Sequence, residues 1–392
     1  MISRRCVLAA LLAFFPATAL AADPVPLVIG YVDRADDPAY AVKRGYEAIR
    51  ATSIPSPFPG AALAVADAKL IGEAAGLSVS LVRVTLEEGE DAAKAIRTLS
   101  AEKHAAAVIV DLPLDETTAV ARALTDLPLA LMNARHHDPA LRISTCASHL
   151  FHTMPSSDML SDALAQGLAK RNWKRVLVVS GDDAEDAATA ETFQRSAAKF
   201  GLAIVATRTF VAGNDPRDRE RNNPRLITGA TDYDVVYVAD HLGDFARALP
   251  YNTALPRPVV GAAGLVATAW HQYWERQGAP QLNRRFERMA KHPMSESDWA
   301  TWVATRALVE VSVRKKAHTG PQLAAALLDP TLALELYKGS PGSFRPWNRQ
   351  MRQPILLATD VAVTGFTPVE GMLHQSNTLD TLGLDEPEFH CP

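Results

Sequence analysis

The chain has 392 residues, 48% of them apolar and 21% charged, with a formal net charge of −4. That length allows two domains with full cores, and the composition is ordinary for a globular protein. The mildly acidic balance argues against a nucleic-acid surface, and apart from a shorter run at the start no apolar stretch reaches the ~20 residues that span a bilayer.

The opening residues read as a secretory signal. Arg4 and Arg5 form the charged region, Val7 to Phe15 the apolar one, and Ala19-Leu20-Ala21 a small-residue cleavage site. The mature chain is expected to begin near Ala22 and to be periplasmic, without a lipid anchor. Removing the leader removes Cys6 and leaves Cys146 and Cys391, for which an oxidising compartment predicts a disulfide.

Leu27 to Val32 predicts a strand, followed by the polar loop Asp33–Pro38 and a helical stretch across Tyr40 to Ile49. IPSPFPG breaks that helix, and a second runs over Ala61 to Ala75. Strands then alternate with helices: Leu77–Val84, helix Asp91–Lys103, Ala106–Val110, helix Glu116–Leu124 and Leu129–Met132. That order requires a parallel sheet with right-handed crossovers. At Pro155 the chain breaks, and serines with Asp158 supply the N-terminal signal of a helix whose apolar face is Leu160, Ala163, Leu164, Gly167 and Leu168. The alternation repeats with Arg175–Ser180, helix Ala187–Phe200, Ala203–Phe210, helix Arg221–Ile227, Tyr233–Val238, helix Leu242–Leu249 and Val259–Ala262. Ala267 to Glu275 and Asp298 to Arg314 read as helices, and Gln353 to Val363 as a final strand pair. The expectation is an α/β protein with two doubly wound parallel-sheet lobes joined by a hinge of several short crossings. The lobes divide as signal 1–21, first lobe 22–146, second lobe 147–285, return to the first 286–332, return to the second 333–365, and tail 366–392.

The stretch HTMPSS…ALAQGLAKRNWKRVLVVSGDD…ETFQRSAAKFGLAIVATRTF resembles the lobe-crossing region of periplasmic type I solute-binding proteins, the leucine/isoleucine/valine-binding class. VVGAAGLVATAWHQYWERQGAPQLNRRFER and the tail SFRPWNRQMRQPILLA…GMLHQSNTLDTLGLDEPEFHC resemble the branch of that class found beside pyrroloquinoline quinone (PQQ) alcohol dehydrogenase systems. The resemblance covers nearly all of the mature chain. It implies a clamp that closes on a small solute and hands it to an inner-membrane ABC permease, with PQQ as the expected cargo and no resident cofactor.

Ligands of open parallel sheets bind outside the carboxyl ends of the strands, which selects the loops at 33–38, 111–115, 133–138, 181–185, 239–242 and 262–265. Asp33, Arg34, Tyr40, Asn133, Arg135, His136, Asp182 and Asp183 are candidate ligand residues there. Arginine pairs with a carboxylate through two parallel hydrogen bonds, so basic loops suit a polycarboxylate. Trp299 and Trp302, three apart on one helix, offer flat faces to a conjugated ligand, and the resemblance places that helix start at the cleft. Two features depart from amino-acid binders: the acid-bearing turn expected in the second lobe reads Ala262-Ala263-Gly264, and Asp182-Asp183-Ala184-Glu185 carries no aromatic. The acidic loops Asp33/Asp36/Asp37 and Asp182/Asp183/Glu185 leave open a metal ion such as a lanthanide as the alternative cargo. An amino acid, or a sensor role without transport, remain further alternatives. No G-x-S-x-G, C-x-x-C, H-E-x-x-H or phosphate loop is present, so no enzymatic activity is expected.

Overall fold

The computed structural model describes residues 23–42, 54–143, 145, 147–211, 216–218 and 220–390. The signal segment, most of the helix expected across Tyr40–Ile49, and both cysteines, Cys146 and Cys391, lie outside them.

Strand β1 (Val25–Arg34) lies between β2 (Leu77–Leu86) and β3 (Ala105–Asp111), with β4 (Ala130–Asn133) and β5 (Leu150–His152) continuing outward. All four pairings in the order β2-β1-β3-β4-β5 are parallel. Every residue of β3 is buried, as a strand covered on both faces must be. The crossovers carry helices α1 (Phe58–Ala74), α2 (Ala92–Lys103) and α3 (Leu114–Ala123). Asp91 caps α2 by accepting from the Lys94 N–H, and His104 ends it in the left-handed conformation.

Past β5 the chain enters α4 (Ser157–Lys170), where Ser156 accepts from the Met159 N–H as the serine–aspartate signal predicts. A second parallel sheet follows in the order β7-β6-β8-β9: β6 (Arg175–Gly181), β7 (Ala203–Phe210), β8 (Val235–Ala239) and β9 (Val259–Gly261). Helix α5 (Ala184–Lys199) covers it, and α4 and α5 bury Leu164, Leu168, Phe193 and Ala197 against Val176 and Val178. The helices expected at Arg221–Ile227 and Leu242–Leu249 shrink to one turn at Pro224–Ile227 and a 3-10 segment at Ala246–Tyr251.

The helix expected at Ala267–Glu275 is not formed. Val266–Thr268 is instead strand β10, which pairs antiparallel with β11 (Ile355–Thr359), itself paired with β12 (Ala362–Thr367). Two helices were not legible locally: α6 (Ala279–Ala290) and α8 (Gly320–Leu327), on either side of the long α7 (Glu296–Lys315). Ala279, Leu282 and Phe286 of α6, spaced three and four apart, bury themselves in the first lobe's core together with Ala269, Trp270 and Trp274. The chain therefore rejoins the first core near Ala269, not at residue 286, and Leu334, Leu336, Phe344 and Met351 stay with it.

The three-stranded sheet links the lobes. Alternate residues of a strand point to opposite faces. In β11, Leu356 belongs to the first lobe's core while Ile355 and Leu357 belong to the second's. One short strand thus seats a face on each lobe, beside the single crossing at β5. Among the described residues no helix is long and apolar enough to cross a membrane.

Candidate functional site

The carboxyl ends of β1, β3 and β4 gather a polar network in which Asp111 is central and buried. Tyr31 Oη and Tyr40 Oη donate to its two carboxylate oxygens at 2.7 and 2.6 Å, and Arg135 Nη1 approaches at 3.4 Å. Arg135 also forks onto Asp37, with Nη1 2.5 Å from Oδ2 and Nη2 3.2 Å from Oδ1. Asp33 accepts from Arg83, whose Nε lies at 3.0 Å. Arg34 Nε donates to Glu116 at 2.6 Å, and its terminal nitrogens donate to the Glu87 and Glu90 carbonyls. Burial pushes the Asp111 carboxyl up despite the two tyrosine hydroxyls, and pushes Tyr40 up as well. Burial acts in the same upward direction on Asp37, but the hydrogen bonds from Arg135 and the Ala39 N–H outweigh it and hold that carboxyl down.

The structure thus brings Asp33, Tyr40 and Arg135 to one end of the sheet, where their polar groups meet partners within the same lobe. Asn133 and His136 shape the neighbouring loop. Asn133 Oδ1 accepts from the Arg135 and His136 N–H groups, and His136 Nε2 bonds the Leu112 carbonyl oxygen at 2.7 Å. Burial lowers the His136 imidazole to about 4, so it sits neutral at physiological pH.

The tryptophan pair requires a correction. Trp299 and Trp302 are both 0% exposed and lie in the first lobe's core. Trp299 stacks on Trp270 with ring centroids 5.8 Å apart, and the Lys338 ammonium sits 3.6 Å over its ring. The physical reason is that α7 is buried almost all round: its run from Asp298 to Thr305 has no exposed side. A helix of that kind has no solvent face on which an indole could wait for a ligand.

The interlobe cleft lies elsewhere, with a volume of about 700 Å³. Leu114, Asp138 and Pro139 contribute from the first lobe. The second lobe supplies the start of α5 and the ends of β8 and β9, including Glu185, Asp186, Asp240, His241 and Gly261. Tyr237, stacked on Phe193 at 3.7 Å, adds an aromatic surface to its wall. The charged lining is one-sided: carboxylates Asp138, Glu185, Asp186, Glu191 and Asp240 stand with one guanidinium, Arg195, and the imidazole of His241. None of the ten predicted ligand residues is among the lining residues, although Asp183 adjoins the cleft through His241.

Asp183 caps α5, its Oδ1 accepting from the Glu185 and Asp186 N–H groups at 2.9 Å. Asp186 Oδ1 accepts from the His241 N–H at 2.6 Å and lies 3.2 Å from His241 Nδ1. Asp186 and His241 went unnoticed as site residues. The strand-end rule selected the loop holding His241, but Asp186 stands one residue past the loop at 181–185. The Asp186 N–H bond holds Asp183 low, while burial raises Asp186. Partial burial works against protonation of His241, but the hydrogen bond and charge of Asp186 outweigh it and raise the imidazole.

A family model described as "Receptor family ligand binding region" matches residues 59–237. A branched-chain amino acid ABC transporter periplasmic ligand-binding protein from Burkholderia xenovorans superposes with a TM-score of 0.69 at 13% identity, over 87% of this chain and 95% of that one. The structural match extends over most of the chain. The chain has the type I periplasmic binding protein fold. A leucine-, isoleucine-, valine-, threonine- and alanine-binding protein from Brucella ovis, in its closed conformation, gives a TM-score of 0.67 at 14% identity over 94% and 100%. A substrate-binding protein from Desulfitobacterium hafniense in complex with Leu gives 0.63 at 18% over 87% and 100%. No curated protein sequence matches the chain. In this binding-protein fold two parallel-sheet lobes present their strand ends to a shared cleft, which is where the acidic lining is found.

Proposed function

We propose that the protein is the solute-capturing component of an ABC importer and that its cleft takes a small solute carrying a positive group, an amine or amino acid before a polyanion. The fold supports the first part: two lobes joined by β5 and a thin two-faced sheet can rock together, and a solute that binds the closed arrangement better shifts the population toward it. A periplasmic location and a permease partner follow from that role. The charge of the cleft wall carries the second part. Five carboxylates against one guanidinium and one imidazole give a negative potential, and a low-dielectric cleft focuses it.

The PQQ reading rests on the resemblance, on the basic loops and on the tryptophan pair, and the last two would need free arginines and exposed indoles. Arg34 and Arg135 are engaged by Glu116, Asp37 and Asp111, and Trp299 and Trp302 are in the core. The three carboxylates of PQQ would meet carboxylates.

The deciding experiment is a thermal-shift and calorimetric series of solutes graded by charge: amino acids, diamines, dicarboxylates and PQQ. A solute at about 100 times its Kd stabilises the folded state by about 2.7 kcal/mol, which a melting curve resolves. Cation-bearing solutes should raise the melting temperature and dianions should not. Tight binding of PQQ or a dicarboxylate, with no response to any amine, refutes the charge argument.

A further inference from the structure

The corner of the second lobe where β6, β8 and the start of α5 meet lends Asp186 and His241 to the cleft wall, and its arrangement goes beyond what solute capture requires. Asp183, Asp186 and His241 each offer one ligand atom, and these atoms all lie within 4.8 Å of one another. An acidic corner alone signifies little, because helix caps account for many such carboxylates. Here the helix cap and the His241 contacts account for only half of the carboxylate oxygens. Asp183 Oδ1 and Asp186 Oδ1 take all the hydrogen bonds described above, while the buried Oδ2 atoms of both residues accept none, His241 Nδ1 standing 3.5 Å from that of Asp183. Asp186 is only 1% exposed, so water does not satisfy its second oxygen from outside. An orphaned buried carboxylate oxygen is costly and calls for a counter-charge.

Gly181 at the end of β6 marks where the two free oxygens converge. A Cβ built on it would lie 2.1 Å from Asp186 Oδ2 and 3.0 Å from Asp183 Oδ2. The strand ends in glycine at the point where the carboxylates need the room, and any larger residue would push them apart. The donor set is two carboxylate oxygens and one imidazole nitrogen, mixed ligands that suit a borderline transition-metal ion better than Mg²⁺ or Ca²⁺, which take oxygen alone.

We propose that Asp183, Asp186 and His241 bind one divalent transition-metal ion, of the Zn²⁺ or Mn²⁺ kind, at the wall of the cleft. The free Oδ2 atoms of the two aspartates are its anionic ligands, and His241 supplies the nitrogen. All three come from one lobe, so the ion binds the open protein and needs no solute. Asp186 and His241 line the cleft, which leaves the ion's remaining coordination positions on the side where a solute would enter.

The test uses the full mature chain after chelator treatment, titrated calorimetrically with Zn²⁺ and with Mn²⁺, the latter also followed by loss of the free-ion electron paramagnetic resonance signal. One ion per chain is expected. D183N is the informative variant, because asparagine caps a helix as well as aspartate and so preserves the start of α5 while removing one anionic ligand. H241Q is its exposed-side counterpart. Each should weaken binding by more than about tenfold, the loss that even an outer-shell change can bring, with an unchanged far-ultraviolet spectrum. Absence of a one-to-one event with either ion, or affinities unmoved by D183N and H241Q, overturns the proposal. The solute series run on the chelated protein separates the two readings: amine binding without any metal event removes the metal site alone, and a metal event without amine binding removes the solute assignment alone.

Discussion

Arg135 decides between a basic solute wall and an internal brace, and R135M separates the two. Methionine keeps the aliphatic stem, whose head lies 5.1 Å from the Tyr40 ring, and removes only the charge. The Asp37 and Asp111 side chains beside it are 1% and 2% exposed, and that of Arg135 itself 15%. Removing one partner of a buried pair strands the other, at about 3–5 kcal/mol. Asp111 keeps its two tyrosine hydroxyls and Asp37 keeps the Ala39 N–H, so the lower end of that range is expected near neutral pH. For a urea slope of about 3 kcal/mol/M, the unfolding midpoint should fall by about 1 M. The pH dependence follows from Asp37, whose carboxyl is held below its usual value. Its contribution is complete above the ordinary carboxylate range and fades as pH falls through the depressed folded value. The gap between wild type and R135M should therefore narrow in acid. D37N placed in the R135M background should recover much of the loss, since the two side chains share their bonds. An R135M protein within about 0.5 kcal/mol of wild type that has lost solute binding would show instead that Arg135 faces the ligand.

Three further outcomes follow from contacts of the same kind. A Cβ at Gly60 would stand 2.1 Å from the Asp298 carbonyl oxygen and 2.3 Å from Thr301 Oγ1, so G60A should force α1 off α7 and cost about 1–3 kcal/mol; an unchanged melting temperature would mean the helices slide freely. Asp380 is buried between Arg345 Nε and Arg352 Nε, each 2.8 Å from its Oδ1, and D380N should destabilise by about 3–5 kcal/mol and loosen the tail, read as faster proteolysis after residue 366; equal cleavage rates would refute it. His137 Nε2 meets Glu296 Oε1 at 3.1 Å, while Glu296 Oε2 takes the Thr268 hydroxyl and the Ala269 N–H at the linking sheet.

Burial opposes the charge on both members of that pair, yet their mutual attraction raises His137 and lowers Glu296 to about 2. With His137 raised, its share is complete below about 6.5 and lost as pH climbs through the folded value. With Glu296 depressed, its share is complete above about 4.5 and lost as pH falls towards 2. The clasp is therefore strongest between roughly 4.5 and 6.5. Side chains 32% and 27% exposed limit it to about 1 kcal/mol. Melting curves of wild type and H137Q should differ most in that window, and a difference flat from pH 4.5 to 8 would dismiss the clasp.

Composition and periodicity carry the architecture here. Strands such as Ala105–Asp111 and Arg175–Gly181 are runs of apolar residues bounded by polar turns, and their helices announce themselves with Ser156, Asp91 and Asp183 at the caps. Those are properties of neighbours in the chain, so two parallel sheets and the strand-end cleft could be read from them. Helix α6 is not legible in the sequence because a short apolar set among three arginines looks solvated until the first core is there to receive it.

The identity of the cleft wall belongs to distances the chain order does not encode. Arg135 is removed from the wall by Asp37, 98 positions earlier, and Arg34 by Glu116, 82 positions later. Nothing near either arginine foretells those partners. Trp299 is likewise claimed by Trp270 and Lys338 and Trp302 by Tyr337, while Asp186 and His241, 55 positions apart, become a site only when β6 and β8 lie side by side. A backbone pattern is set by hydrogen bonds and apolar periodicity over a few residues. Which charges remain free is set by long-range pairing, and only the folded chain resolves that competition.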